Sequence, residues 1–397
     1  MAVCFPGTIF NKKNHLVILD GGELFWSSEI PEYAWCAFGN SQKPQISQVC
    51  KLFKIELGSL LKPEQLKAFE SLDADLDNIP FSLVQPPHEF KERLQKGLDK
   101  SLEALRVLSS SGYERTFYTE QEVLLRMTAA QYDYSAAINY FKKNKKTTNK
   151  SVLKSFETLN GFLDPAVYSN TSTSTGRMTI KSGPQILTAP KKMRNFIRPS
   201  SSKNLIAQAD FVSLEPRVGR FLAGGNPDKD VYESIGKSVF DNKLNRDQVK
   251  KAFLPAIYGA GHRTLSSMLP DGIKAKDVIH SLREYLNFNE IVSSKREELR
   301  KEGVMKNYFG RPVIPSSDRD TVIYNNWLQS SAVSISLLGF KKLLDNFSFL
   351  SPLFLIHDAI IFEFPKEKEK EVKDFLESGV DIENIGNFPM SYLAMSR

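Results

Sequence analysis

Apolar residues recur along this chain in two rhythms, and each rhythm predicts a different element. From about His88, the residues Phe90, Leu94, Leu98, Leu102 and Leu105 repeat at spacings of four and three, which draws one apolar stripe down a helix. A second helix is predicted from Thr119, where Thr119-x-x-Glu122 has the form of a capping box. It runs through LLRMTAAQYDYSAAINYF into the basic tract Lys142–Lys146, with Lys150 and Lys154 beyond. Runs of strand length stand elsewhere. They are His15-Leu-Val-Ile-Leu-Asp20 before Gly21-Gly22, Asn204-Leu-Ile-Ala-Gln-Ala-Asp210, and an apolar stretch from Pro352 to Pro365 interrupted by His357-Asp358. The last has the pattern of a hairpin with a carboxylate at its tip. Pro63 ahead of EQLKAFESL predicts a short helix with proline in its first turn. Pro80, Pro86 and Pro87 mark IPFSLVQPPHEF as a linker.

Composition narrows the class without deciding it. A chain of 397 residues, 41% hydrophobic and 25% charged, has room for two or three domains with sizeable cores. The net charge of +7, from 53 basic and 46 acidic side chains, suits a polyanionic partner. Three cysteines, Cys4, Cys36 and Cys50, lack paired spacing; the reading is a reducing compartment, with neither a disulfide framework nor a zinc site. The first fifteen residues show no long apolar core, and no run of about 18 apolar residues follows, so neither a signal peptide nor a membrane span is expected.

Candidate chemistry sits in three short segments. In Asp210-Phe-Val-Ser-Leu-Glu215-Pro-Arg217 an acid ends an apolar strand. A carboxylate there is costly unless paired, hydrogen-bonded or bound to metal. The segment RDQVKKAFLPAIYG places Arg246 and Lys250 one helical turn apart, with Tyr258-Gly259 two turns beyond Lys250; positions four apart share a face. Two cations so placed can offset charge on a nucleotide's phosphates. The third segment is the His357-Asp358 tip. Two strand-borne carboxylates and a cationic helix are what a nucleotidyl transfer assisted by two metal ions requires.

The order Asp-Phe-x-x-x-Glu-x-Arg, Arg-x3-Lys-x7-Tyr-Gly and His-Asp resembles the A, B and C motifs of family A DNA polymerases, the bacterial DNA polymerase I type. Lesser matches follow the same order: Thr175-Gly176-Arg177 with Gln185 and Arg194 after it, Gly310-Arg311, and Asn325-x-x-x-Gln329. The resemblance covers roughly residues 170–365 and includes the helical stretch 88–165. It implies an α+β chain with the right-hand polymerase fold: a thumb over 88–170, a palm over 171–230 and 306–397, fingers over 231–305, and an N-terminal region 1–87 of unknown role.

The resemblance also implies roles. Asp210 and Asp358 would hold two Mg²⁺ ions. Arg246 and Lys250 would meet the triphosphate of a deoxynucleotide, with Tyr258 and Leu254 beside the nascent pair. Glu215 would exclude the ribose 2′-hydroxyl. Arg177, Asn325, Gln329 and His357 would contact the primer-template DNA, Arg177 from the minor groove. The chain departs from the family pattern at Leu254, where an aromatic residue is usual, at Pro255 inside the helix, and at Ala359, where the family carries an acid. It keeps Glu363 and Pro365.

Two other readings stand beside this one. A single-subunit phage-type RNA polymerase shares the three segments, but Glu215 argues against it. A catalytically weakened nucleic-acid-binding protein is suggested by Leu254, Pro255 and Ala359. Residues 1–87 contain no Asp-x-Glu, and Asp20 and Glu23 have the wrong spacing, so no proofreading exonuclease is expected. A short, phage-like, monomeric enzyme of the bacterial host cytoplasm is the setting this suggests.

Overall fold

A computed structural model describes residues 2–12, 14–39, 43–143 and 150–396, with the backbone alone at Asp77 and Ser396. The chain divides into two compact units, Met1–Leu125 and Arg126–Arg397.

The first unit opens with β1 (Ala2–Pro6), β2 (Leu16–Asp20), β3 (Glu23–Ser27) and β4 (Ala34–Cys36). They form one sheet in the order β3-β2-β1-β4, with β1 antiparallel to β2 and parallel to β4. The strand expected at 15–20 is present, and its chain reverses at Gly21-Gly22 with Asp20 opposite Glu23. Val3, Cys4, Phe5, Ile18, Trp35 and Cys36 are buried along this sheet. All three cysteines are buried, and among the described residues none forms a disulfide. Four helices follow: α1 (Ile46–Phe53), α2 (Pro63–Ser71), α3 (Pro87–Ser110) and α4 (Glu114–Leu125). Pro63 and Pro87 stand in first turns, where a missing N–H costs nothing. On α3 the stripe buries Phe90, Leu98 and Leu105 and half-buries Leu94 and Leu102.

Two expectations give way in this region. The proline-rich stretch before α3 does not behave as a linker between compact units. Gln85 is buried, its amide donates to Leu60 O at 2.9 Å, and Ser82 N donates to Ile9 O at 2.9 Å. The helix expected from Thr119 is two helices. Thr119 lies inside α4, and its hydroxyl donates back to Arg115 O at 2.9 Å instead of capping. After Leu125 the chain leaves the helix because Thr128 gives both its N–H and its hydroxyl to Pro352 O, at 2.8 and 3.0 Å. A tertiary contact here outweighs local propensity.

The second unit begins with β5 (Ala130–Tyr132), α5 (Tyr134–Lys143), α6 (Lys150–Lys154), β6 (Phe162–Leu163), β7 (Val167–Ser169), β8 (Thr179–Ser182) and β9 (Ile197–Arg198). These make a small sheet β6-β5-β9 and a hairpin β7-β8. Lys142 and Lys143 sit in the last turn of α5, where cations oppose the helix dipole; Lys145 and Lys146 lie outside the described residues. Next come β10 (Asn204–Phe211), α7 (Leu214–Leu222), α8 (Val231–Ser238), α9 (Arg246–Tyr258), α10 (His262–Ser266), α11 (Ala275–Tyr285) and α12 (Phe288–Glu302). A short hairpin, β11 (Met305–Lys306) and β12 (Pro312–Val313), leads to α13 (Asp320–Asn346). The unit closes with β13 (Ser351–Ile356), β14 (Ala359–Pro365), α14 (Glu369–Ser378), β15 (Val380–Ile382), β16 (Gly386–Phe388) and β17 (Met390–Ser396).

The sheet that positions the site runs β13-β14-β10-β17, antiparallel throughout. Residues 205–209 of β10 are buried on both faces, which explains why this strand reads as an apolar run instead of an alternation. The mostly buried helix α13 packs on α7 and α9. Gly339 of α13 permits the approach to β10, since a Cβ there would lie 2.5 Å from the Phe211 ring.

Candidate active site

The two acids of the sheet meet at the end of its central strands. Asp210 stands near the end of β10, across from Ala359 in the β14 register. Asp358 lies in the two-residue tip between β13 and β14, and its carbonyl accepts from Phe211 N at 3.2 Å. His357, beside it, has φ of 56°, a left-handed conformation that histidine tolerates better than most residues. The tip thus brings the third sequence segment to the first. Burial pushes the Asp210 carboxyl up from 3.8 to about 6, and repulsion from Asp358 adds to it; Gln208, Lys191 and Arg194 pull the other way. Asp358 is likewise raised, first by burial, while its own backbone, His357 and Arg177 oppose. Two carboxylates so held would gain from a shared divalent cation.

That donor set fits Mg²⁺. The ligands are hard oxygens, and among the described residues no group of three or more His, Cys, Asp or Glu gathers to hold a metal. Mg²⁺ characteristically takes one or two carboxylates and completes its shell with water and substrate phosphates.

Beside the acids is a cavity of about 420 Å³ whose lining includes Arg177, Glu215, Lys250, Leu254, Gln329, His357 and Asp358. Seven of the residues singled out from sequence therefore line one cavity; Asp210, Arg246, Tyr258 and Asn325 are not in its lining. Glu215 enters from the first turn of α7, and Arg177 Nη2 lies 3.7 Å from its carboxylate. Burial raises the Glu215 carboxyl; Tyr258 and Arg177 offset part of this. The Tyr258 hydroxyl lies against Glu215 and Gln329, yet it is buried without a hydrogen bond of good geometry among the described residues. Gln329 and Asn325 stand one turn apart on α13; Asn325 Oδ1 is buried without a partner among the described residues.

Helix α9 forms as the second segment predicts. It starts at a capping box in which Asn245 Oδ1 accepts from Gln248 N at 3.0 Å and Gln248 Oε1 accepts from Asn245 N at 2.9 Å. It continues through Pro255 to end at Gly259. Proline cannot donate to the carbonyl of Lys251, an exposed residue. Lys250 and Leu254 reach the cavity. Arg246 does not: its Nε is bound to Asp230 Oδ2 at 2.5 Å. It can join Lys250 at a triphosphate only by giving up that ion pair.

The lesser matches acquire physical reasons. Arg311 is fully buried and donates to Asn170 O at 2.6 Å. Gly176, at φ of 79°, faces it so closely that a Cβ would come 2.9 Å from the Arg311 guanidinium carbon. The Thr-Gly-Arg and Gly-Arg segments thus need each other, and Arg177 is held beside the cavity. Glu363 is a tie, not part of the cavity: Oε1 accepts from Ser200 N at 2.8 Å, Ser200 Oγ at 2.6 Å and Asn204 Nδ2 at 2.7 Å.

Sequence reasoning missed Lys191 beside Asp210, and it gave no role to Arg194, half-buried near the same acid. Both come from a 3-10 turn over Lys191–Phe196. It also missed Tyr232, which lines the cavity, and β17, whose Ser391 lies opposite Asp210. The basic cluster Lys191-Lys192-x-Arg194 was the available signal for the first two.

A helix-flanked antiparallel sheet with paired acids at its strand ends and a lysine across a cavity defines a site of the phosphoryl-transfer class. The sequence model described as DNA polymerase family A matches residues 71–390. The chain belongs to that family. Among solved structures, the POL domain of Pol1 from M. smegmatis, in complex with DNA primer-template and dNTP, matches with a TM-score of 0.60 at 14% identity, over 96% of this chain and 92% of that one. The expected polymerase fold is therefore the fold found. No curated protein matches by sequence. Among the described residues no helix is long and apolar enough to cross a membrane.

Proposed function

We propose that this family A DNA polymerase extends a primer 3′ end with deoxynucleotides on a DNA template, Asp210 and Asp358 holding two Mg²⁺ ions. The observation that supports this best is the convergence of Asp358, Lys250 and Glu215 on one cavity, with Asp210 close enough to Asp358 to feel its charge. The metal ions, when bound, would supply Lewis-acid stabilisation of the attacking and leaving oxygens. Asp210 and Asp358 bind and fix them. Lys250 meets the triphosphate and offsets charge on the leaving phosphates. Glu215, beside Arg177 and Tyr258, crowds the sugar 2′ position. Leu254 provides the apolar surface beside the incoming base. Arg177, Gln329, Asn325 and His357 orient the primer-template.

In this reading the sheet around β10 is the palm, α8 to α12 are the fingers, and the helical segment before Thr128 contributes the thumb. Arg246 serves as a brace: through Asp230, which caps α8 by accepting from Glu233 N at 3.1 Å, it ties α9 to α8. Primer extension with Mg²⁺ and deoxynucleotides tests the reading. Extension by the wild type and none by Asp358→Ala is expected; extension by both would remove the metal assignment, and extension by neither would favour a binding protein.

A further inference from the structure

Behind α7, on the side away from Glu215, the second unit holds another cavity of about 770 Å³, lined among others by Arg217, Asn226, Lys229, Glu377 and Asn387. Arg217 is 3% exposed. Its Nη2 donates to the carbonyls of Asp228 and Lys229, at 3.2 and 2.9 Å. Among the described residues, Nε is buried with no acceptor and Nη1 makes no hydrogen bond. The acid whose field it feels most is Asp230, and Asp230 is already committed to Arg246 at 2.5 Å. A buried guanidinium thus borders a cavity without a carboxylate of its own. Charges taken out of water are costly unless paired and hydrogen-bonded. The cavity wall carries two cations, Arg217 inside and the exposed Lys229, against one exposed acid, Glu377. That balance favours an anion, and a guanidinium with free N–H groups matches phosphate oxygens.

We infer that this cavity is a binding site for a phosphate oxyanion, distinct from the cavity at Asp210 and Asp358. The phosphate can be a free anion, such as orthophosphate or pyrophosphate, or a backbone phosphate of a nucleic-acid strand. Nothing in this inference depends on the roles given to Lys250 or Glu215.

Calorimetric titration of the full chain in EDTA tests it, with inorganic phosphate, pyrophosphate and a single-stranded oligonucleotide as three separate ligands. For a free anion, phosphate or pyrophosphate should bind saturably. Lys229→Glu should weaken it at least about fivefold, Arg217→Gln at least about tenfold, and Glu377→Gln should tighten it about twofold, while Lys250→Ala leaves it unchanged. For a strand phosphate, the free anions should not bind saturably, and Lys229→Glu should instead weaken the oligonucleotide and lower its salt slope by about one. Should Arg217→Gln fail to fold, as judged by circular dichroism, the opposed shifts of Lys229→Glu and Glu377→Gln decide. Wild-type behaviour of both exposed variants toward all three ligands overturns the site. So does anion binding that is lost with Lys250→Ala and kept with Lys229→Glu.

Discussion

Two of the acid-bearing hairpins in this molecule differ in what surrounds them. In the first unit, Asp20 and Glu23 flank the Gly21-Gly22 turn between β2 and β3, and both are exposed. The hairpin lies at the edge of its sheet, and β1, the neighbouring strand, reads AVCFP with no acid. In the second unit the β13–β14 tip abuts β10, an inner strand of its sheet, and Asp358 faces Asp210 across partly buried ground. Acid at a hairpin is therefore not the chemical signal. A second acid brought close on an inner strand, with burial enough to raise both, is.

The sharpest way to break that comparison is to remove one acid from each hairpin. Asp358→Ala should lower primer extension by at least about a thousandfold, on the order of 4 kcal/mol of lost transition-state stabilisation. Asp20→Ala should leave extension within about twofold of wild type, and affinity for primer-template should hardly change in either. Comparable losses from both changes would mean the first hairpin takes part in the chemistry.

Helix α9 offers the next test, because its two cations have been separated. Lys250→Ala should lower kcat/KM for nucleotide at least about tenfold, since a charge-assisted contact is worth about 1.5–3 kcal/mol. Arg246→Ala should cost less, about two- to fivefold, as a part-exposed brace whose loss loosens α9. Steady-state kinetics with varied nucleotide separates them; a larger effect at Arg246 would return that side chain to the triphosphate. Glu215→Ala should raise the ratio of ribo- to deoxynucleotide use about tenfold, read from single-nucleotide insertion. An unchanged ratio would show that another residue sets sugar choice.

These outcomes also measure what was legible in the sequence. The β10 strand, the β13–β14 tip and α9 could be read because an acid inside an apolar run, or two cations four apart, is a local pattern with one economical structure. The second helix could not, because Thr128 bonds to Pro352, a partner more than two hundred positions away. The capping form at Thr119 was real as a pattern but was spent inside α4. Arg246 shows the same limit: helical spacing gave its face, while the ion pair with Asp230, a residue outside the helix, could not be read. Lys191 and Arg194 reach Asp210 from a 3-10 turn that has no apolar rhythm to announce it.

The smallest expected effect reads the acid pair without catalysis. Asp210 binds its proton more tightly folded than unfolded, with a carboxyl raised from 3.8 to about 6, first by burial and then by Asp358. Between those values the folded chain holds more protons than the unfolded one, so metal-free stability falls as pH rises from about 4 to about 6. Fully expressed, that shift is about 3 kcal/mol; part-exposure and solvent screening reduce it to about 1 kcal/mol. Asp210→Asn should therefore stabilise the second unit by about 1 kcal/mol at pH 7.5 in EDTA. The gain should fade below about pH 4, where the wild-type acid is also neutral. Asp20→Asn, on the exposed hairpin, should show no such gain. Urea unfolding at both pH values, followed by a probe in the second unit, checks this. A destabilised Asp210→Asn at pH 7.5 would mean that Gln208, Lys191 and Arg194 outweigh burial and Asp358. The acids would then be already satisfied by the protein, and the contrast between the two hairpins would no longer rest on electrostatics.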